Sequence, residues 1–168
     1  MRFNHLGLPS NALSVVLPLV VLLTGCTTDM SGDDSGQMMN AGIAQTRSGI
    51  SKTQTGVNEF TEGPRQTAMS DMSSGIGMMN QGMTEMHNAV GMMSGNMMMN
   101  CTDGGVAMMG PMQQAIDETN QGQAKLSDSD TSNDTDGVNQ LNNGLTMMNS
   151  ALDQSQTAMN CMDHGHMM

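Results

Sequence analysis

The feature that most constrains this chain is a seven-residue rhythm carried by its apolar side chains. A first segment places Met39, Ile43, Thr46, Ile50, Thr53, Val57 and Phe60 at alternating steps of four and three. A second repeats the steps through Met69, Met72, Ile76, Met79, Met83, Met86, Val90, Met93 and Met97. A third, weaker segment has Met109, Met112, Ile116, Thr119, Gln123 and Leu126. A fourth has Val138, Leu141, Leu145, Met148, Leu152, Ser155, Met159 and Met162. Such spacing puts one stripe on one helix face, whereas a strand would need a period of two. The pattern predicts an all-α chain of four helices with heptad seams.

A second rhythm rides on the first. Gly42, Gly49 and Gly56 stand beside the first seam, Gly75, Gly82 and Ala89 beside the second, and Gly144, Ala151 and Ala158 beside the fourth. Glycine inside a helix costs about 0.5–1 kcal/mol relative to alanine. Its return at one heptad position implies a compensating gain, namely close approach of a neighbouring helix with better van der Waals contact. The Gly, Asn and Ser content would also suit a disordered chain. The phase of the repeat favours helices. Gly63-Pro64 separates the first two segments, with proline suited to a helix start. "CTDGG" is expected to stop helix two, with Gly104 or Gly105 as a left-handed cap. Pro111 should start or kink helix three. The acidic turn from Ser127 to Gly137 should cap helix four at its positive end. Short connections make neighbours antiparallel, giving an up-down four-helix bundle over residues 38–162. Helix two reads as longer than helix three.

The N-terminus reads as a targeting segment. Arg2 precedes the run "ALSVVLPLVVLL", which is too short and too proline-broken for a good membrane span. It meets "LTGC", Leu23 to Cys26, which resembles the lipobox of bacterial lipoproteins. That resemblance covers the signal region only. It implies cleavage after residue 25, acylation of Cys26, and a polar tether over residues 26–37. Thr27, where an Asp would favour inner-membrane retention, implies the outer membrane. The expected compartment is the cell envelope, an oxidising one, so a disulfide between Cys101 and Cys161 is permitted.

Charge and composition narrow the function. The formal net charge is -11 and there is no Trp or Tyr. Nucleic acid needs a basic footprint and often stacking aromatics, so it is not an expected partner. No nucleophile elbow, phosphate-binding glycine loop or catalytic triad context is present, and no enzyme activity is expected. The acidic turn lacks the glutamate that completes a calcium loop.

The 24 methionines carry the remaining signal. Many lie on the seams, where methionine fills space, although leucine would specify packing better. Met78, Met92, Met98, Met99, Met108 and Met147 fall off the seams and are harder to explain as packing. Met79/Met83, Met83/Met86, Met93/Met97 and Met108/Met112 are three or four apart and share helix faces. Thioethers are soft donors that suit Cu(I) or Ag(I). "MNC" occurs at Met99–Cys101 and at Met159–Cys161, and both copies are read as closing a helix. The tail at 163–168 adds His164, His166, Met167 and Met168 beside Met162. The candidate ligands are therefore Met79, Met83, Met86, Met93, Met97, Cys101, Met108, Met112, Met159, Cys161, Met162, His164, His166, Met167 and Met168. His87 is expected to be exposed. In composition, residues 69–112 and 147–168 look like methionine-rich copper- or silver-handling proteins of the bacterial envelope. That likeness implies a lipid-anchored, copper-buffering protein. The competing reading is a structural lipoprotein that pairs through its helices with itself or another envelope protein.

Overall fold

A β-carbon built on Gly42 would stand 2.6 Å from the carbonyl oxygen of Gly82, and one on Gly56 would stand 2.7 Å from that of Ala68. Gly49 and Gly75 oppose each other with equal intimacy. These contacts are backbone against backbone, and they join two of the four helices of the computed structural model. The structure describes residues 32–93, 99–128 and 130–165, with side chains described for 34–92, 107–128 and 130–156. Among them are α1 (Gly32–Glu62), α2 (Arg65–Met93), α3 (Met99–Ser127) and α4 (Asp134–Gly165), with a single 3-10 turn at Thr131–Asn133 and no strand.

Residue numbers rise along α1 as they fall along α2: Gly42 faces Gly82, Gly49 faces Gly75, and Gly56 faces Ala68. One heptad further in the same register, Ser35 and Ala89 are both buried. The pair α3–α4 repeats the device, with Gly122 opposite Gly137 and Gly144 against Ala115. α1 packs chiefly on α2 and α3 chiefly on α4, while α2–α3 and α1–α4 touch more lightly. Thr46, Thr53 and Thr119 lie in the tight interfaces, fully buried. Their hydroxyls donate to the carbonyls of Gly42, Gly49 and Ala115, four residues back, at 2.8, 2.9 and 2.7 Å. Each thus presents a small side chain to the opposing glycine without leaving a buried hydroxyl unpaired.

The predicted seams form the interior. Ile43, Ile50, Ile76, Ile116, Leu141, Leu145 and Leu152 are buried where the spacing put them, as are the seam threonines. The interior divides into two clusters. The smaller holds Val57, Ala68, Met72, Leu126 and Leu141, with Phe60, Met69 and Val138 packed on it. The larger is rich in methionine and is described below.

Several boundaries differ from the sequence reading. α1 begins at Gly32, so the last residues of the expected tether are helical. α2 is described to Met93 and α3 begins at Met99, so "CTDGG" lies within the opening turns of α3 and does not stop α2. No described glycine has a left-handed conformation. The first "MNC" therefore opens a helix and only the second lies near a helix end. The reason is tertiary: α3 is paired along α4, with Gly122 on Gly137 and Ala115 against Gly144, and a helix held by such packing extends through residues of low helix propensity. The described spans of α2 and α3 are 29 residues each. Pro111 lies inside α3 and neither starts nor ends it. The carbonyl it deprives of a donor belongs to Ala107, which is exposed.

The connections follow their local chemistry. Pro64 precedes α2 and its carbonyl accepts from the amides of Thr67 and Ala68 at 3.0 and 3.2 Å. In the acidic turn, the Asp130 carboxylate accepts from the Ser132 amide at 3.0 Å, and Asp134 and Asp136 occupy the first turn of α4. That hydrogen bond holds the Asp130 carboxyl below its ordinary value. A depressed folded value means the contribution is present above the unfolded pKa and disappears as pH falls through the folded one.

Arg65, unremarkable in the sequence, ties the two helix pairs together. Its guanidinium donates to both carboxylate oxygens of Asp134, at 2.9 and 3.0 Å, and to the carbonyls of Leu126 and Asp128. It also lies 4.6 Å from the centroid of the Phe60 ring. Only the planar fork of arginine can serve all these partners.

Two outcomes follow. Gly49→Ala should destabilise the protein by about 1–3 kcal/mol through overpacking. Gly77→Ala, at a helical site with nothing within 4 Å of the new methyl, should stabilise it by about 0.4–1 kcal/mol. Urea unfolding followed by circular dichroism reads both signs; equal effects would refute the close-approach argument. Arg65→Lys should lower stability by about 2 kcal/mol, since charged hydrogen bonds are lost and carbonyls left unserved. The same unfolding assay measures this.

Candidate metal site

Thioethers from all four helices meet in the larger interior cluster. Met39, Met79, Met86, Met112 and Met148 are buried in it, none more than 1% exposed. Met38, Met83, Met109 and Met147 are half-buried and pack against its margin. The helices hold these residues inward because all but Met38 and Met147 are seam positions of the heptad.

Of the sequence-predicted ligands, Met79, Met86 and Met112 are thus fully buried, Met83 is half-buried, and Met108 is 3% exposed. Met93, Cys101, Met159, Cys161, Met162 and His164 belong to helical backbone, but their side chains lie outside the described residues. Met97, His166, Met167, Met168 and Cys26 lie wholly outside them, and so does any test of the Cys101–Cys161 pairing. His87 is exposed, as expected.

Met108 requires a correction. Its spacing placed it off the seam and hard to reconcile with packing, yet it is buried. In α3 it continues the row of Ala115 and Gly122, whose partners on α4 are small. Gly122 presses on the backbone nitrogen of Leu141, at 2.7 Å from an added β-carbon. Two heptads along from Gly122 and Gly137, the same register brings Met108 level with Ala151, also buried. A long side chain thus faces a small one, which makes room for it. Met78 and Met147 are half-buried, and Met92 is 38% exposed.

Sequence reasoning did not single out Met39, Met109 and Met148 as ligands, although all three were legible as seam positions. Met38 carried no signal beyond adjacency to a seam residue, and Met147 stood out only as an off-seam methionine hard to explain as packing. What joins them to Met79 and Met112 is contact between helices distant in sequence.

The chemistry available is soft and neutral. A thioether sulfur has no proton to lose and no charge, so it can be buried without the cost of an ion and can ligate without proton release. Among the described residues no group of three His, Cys, Asp or Glu side chains is disposed to hold a metal. A hard cation such as Ca2+ or Mg2+ would find no oxygen cage in this cluster. No described helix is long and apolar enough to cross a membrane. Neither protein-family models, nor curated proteins, nor solved structures gave a match to this chain.

Exposure makes a direct forecast for oxidation, because sulfoxide formation needs access to sulfur. Dilute peroxide should oxidise Met92 early, while Met72, Met79, Met86, Met112 and Met148 should resist until the protein is unfolded. Peptide mapping by mass spectrometry over time checks the order.

Proposed function

We propose that this chain is a non-enzymatic, lipid-anchored protein of the bacterial envelope that binds or buffers Cu(I), or Ag(I), through its methionines. The observation that carries the reading is the concentration of buried and half-buried thioethers in one interior cluster fed by four helices. Leucine or isoleucine, present in the same cluster as Ile43, Ile50, Ile76, Ile116, Leu145 and Leu152, would pack with better-defined rotamers than methionine. Soft-ion affinity accounts for the choice of sulfur, and the lack of a hard-donor group beside it accounts for selectivity.

The architecture we infer is an antiparallel, up-down-up-down four-helix bundle. Its support is the opposed numbering in the tight pairs, joined by cross-pair hydrogen bonds. Gln54 donates to Asn142 at 3.4 Å and Arg47 to Gln156 at 3.0 Å, so numbers on α1 rise as those on α4 fall. In this arrangement the start of α3 and the end of α4 share an end of the bundle. Cys101, Cys161 and the His/Met tail would join the methionine-rich half there. The start of α1 belongs to the same end, so an acyl chain on Cys26 would tether that half to the membrane.

The second reading, a structural lipoprotein, draws on the completeness of methionine burial, since flexible thioethers also fill cores. The two part on metal uptake. The Cys26→Ser protein, with Cys101 and Cys161 alkylated, should take up several Cu(I) equivalents in an anaerobic titration against a chromophoric chelator. No uptake would sink the copper reading and leave the structural one. Cys26→Ser should also release the protein from membranes in cell fractionation; continued membrane association at the processed size would rule out acylation at this residue.

A further inference from the structure

The register between α2 and α3 singles out one constellation within the cluster. Gln123 of α3 donates to the carbonyl of Met69 in α2 at 3.5 Å. Arg65, one turn before Met69, reaches the carbonyls of Leu126 and Asp128, just beyond Gln123. Numbers therefore fall along α3 as they rise along α2. One heptad from Gln123 and Met69, the level is occupied by Ile116 and Ile76, both buried in the larger cluster. One heptad further it is occupied by Met109 and Met83, both half-buried against the same cluster. One turn inward along each helix stand Met79 and Met112, each 0% exposed.

We propose that Met79, Met83, Met109 and Met112 form a four-thioether site for Cu(I) or Ag(I) across the α2–α3 interface. The inference rests on the copper reading above and gives it a place. Met79/Met83 are four apart and Met109/Met112 three apart, so each helix offers two sulfurs on one face. Four soft neutral donors satisfy a d10 monovalent ion without any change of protonation. The two half-buried members face the entry, and the two buried members close the interior side. Three rotatable bonds in each side chain let the sulfurs turn onto an ion without moving the helices. The nearby carboxylates are engaged elsewhere: Glu85 accepts from Gln81 at 3.5 Å and Asp117 from Gln113 at 2.9 Å. The α2–α3 interface is also the lighter of the contacts that α2 and α3 make, although the stem of Met79 packs over Gly49 of α1, so the site borders the glycine-lined seam.

The test uses the full mature chain with its cysteines alkylated, titrated anaerobically with Cu(I) against a chromophoric chelator. The variant replaces all four residues by leucine, which conserves volume and apolar character. The control replaces Met69 and Met72, in the smaller cluster, by leucine. The quadruple variant should keep its helical spectrum and bind fewer equivalents than the parent, while the control binds as many. The equivalents lost should be those whose affinity is unchanged between pH 7 and pH 5, because no thioether titrates. If the quadruple variant fails to fold, Met83→Leu/Met109→Leu, which leaves the buried pair intact, should weaken the same class of site. Uptake by a folded variant equal to the parent's in number and affinity overturns this site alone. A parent that binds no Cu(I) overturns the functional reading and the site together.

Discussion

The structure depends on helix backbones touching at glycine. At Gly42, Gly49, Gly75 and Gly82 the space where a β-carbon would go is filled by carbonyl oxygens and amide nitrogens of the opposing helix, groups that cannot swing aside. A flexible side chain in the way could change rotamer at small cost; a packed backbone cannot. The approach explains why a chain tolerates glycine in mid-helix, where each one is unfavourable by about 0.5–1 kcal/mol relative to alanine. The loss is recovered as dispersion contact between backbones, and the buried threonines fit the same narrow gap by returning their hydroxyls to their own helix.

This constraint shapes the rest of the interior. Long side chains lie beside the glycines of each tight pair: Met72, Met79 and Met86 against Gly56, Gly49 and Gly42, and Leu126 and Leu141 against Gly137 and Gly122. The interior they help to fill falls into two clusters. The smaller cluster holds Val57, Leu126, Leu141 and Phe60 together with Met69 and Met72, and Arg65 ties the pairs. The larger holds Met39, Met79, Met86, Met112 and Met148 among Ile43, Ile50, Ile76, Ile116, Leu145 and Leu152. Methionine has more rotamers and fixes a core less well, but its sulfur is polarizable and able to bind a soft ion. What sets the larger cluster apart is the number of its thioethers, and the proposed copper function rests on that number.

Parts of the site were readable before any tertiary information. Met79, Met83 and Met112 could be named as ligands from their spacing alone, because i, i+3 and i, i+4 neighbours share a helix face. Met109 could not, since nothing in its own helix distinguishes it from packing. Its significance comes from standing level with Met83 in a register set by Gln123 on Met69 and by Arg65 on Leu126. Met108 misled for the converse reason. Its off-seam position looked hard to reconcile with packing, whereas it is buried at the level of the small side chain of Ala151.

The four helical segments, their inward faces and the row of small residues were determined by sequence alone, because heptad periodicity is a local geometric property of the helix. The proposed N-terminal signal and the proposed preference for soft over hard metals likewise rest on residue type alone. The limits of α2 and α3 were decided only in the tertiary structure. "CTDGG" is locally a helix stop, yet it is helical, as part of a helix whose later turns are paired with α4, and packing outweighs propensity. The same holds for the role of Arg65, whose partners Leu126, Asp128 and Asp134 are some sixty residues away in the chain. No local rule links residues so far apart; only the approach of one glycine-lined pair to the other brings them within hydrogen-bonding distance.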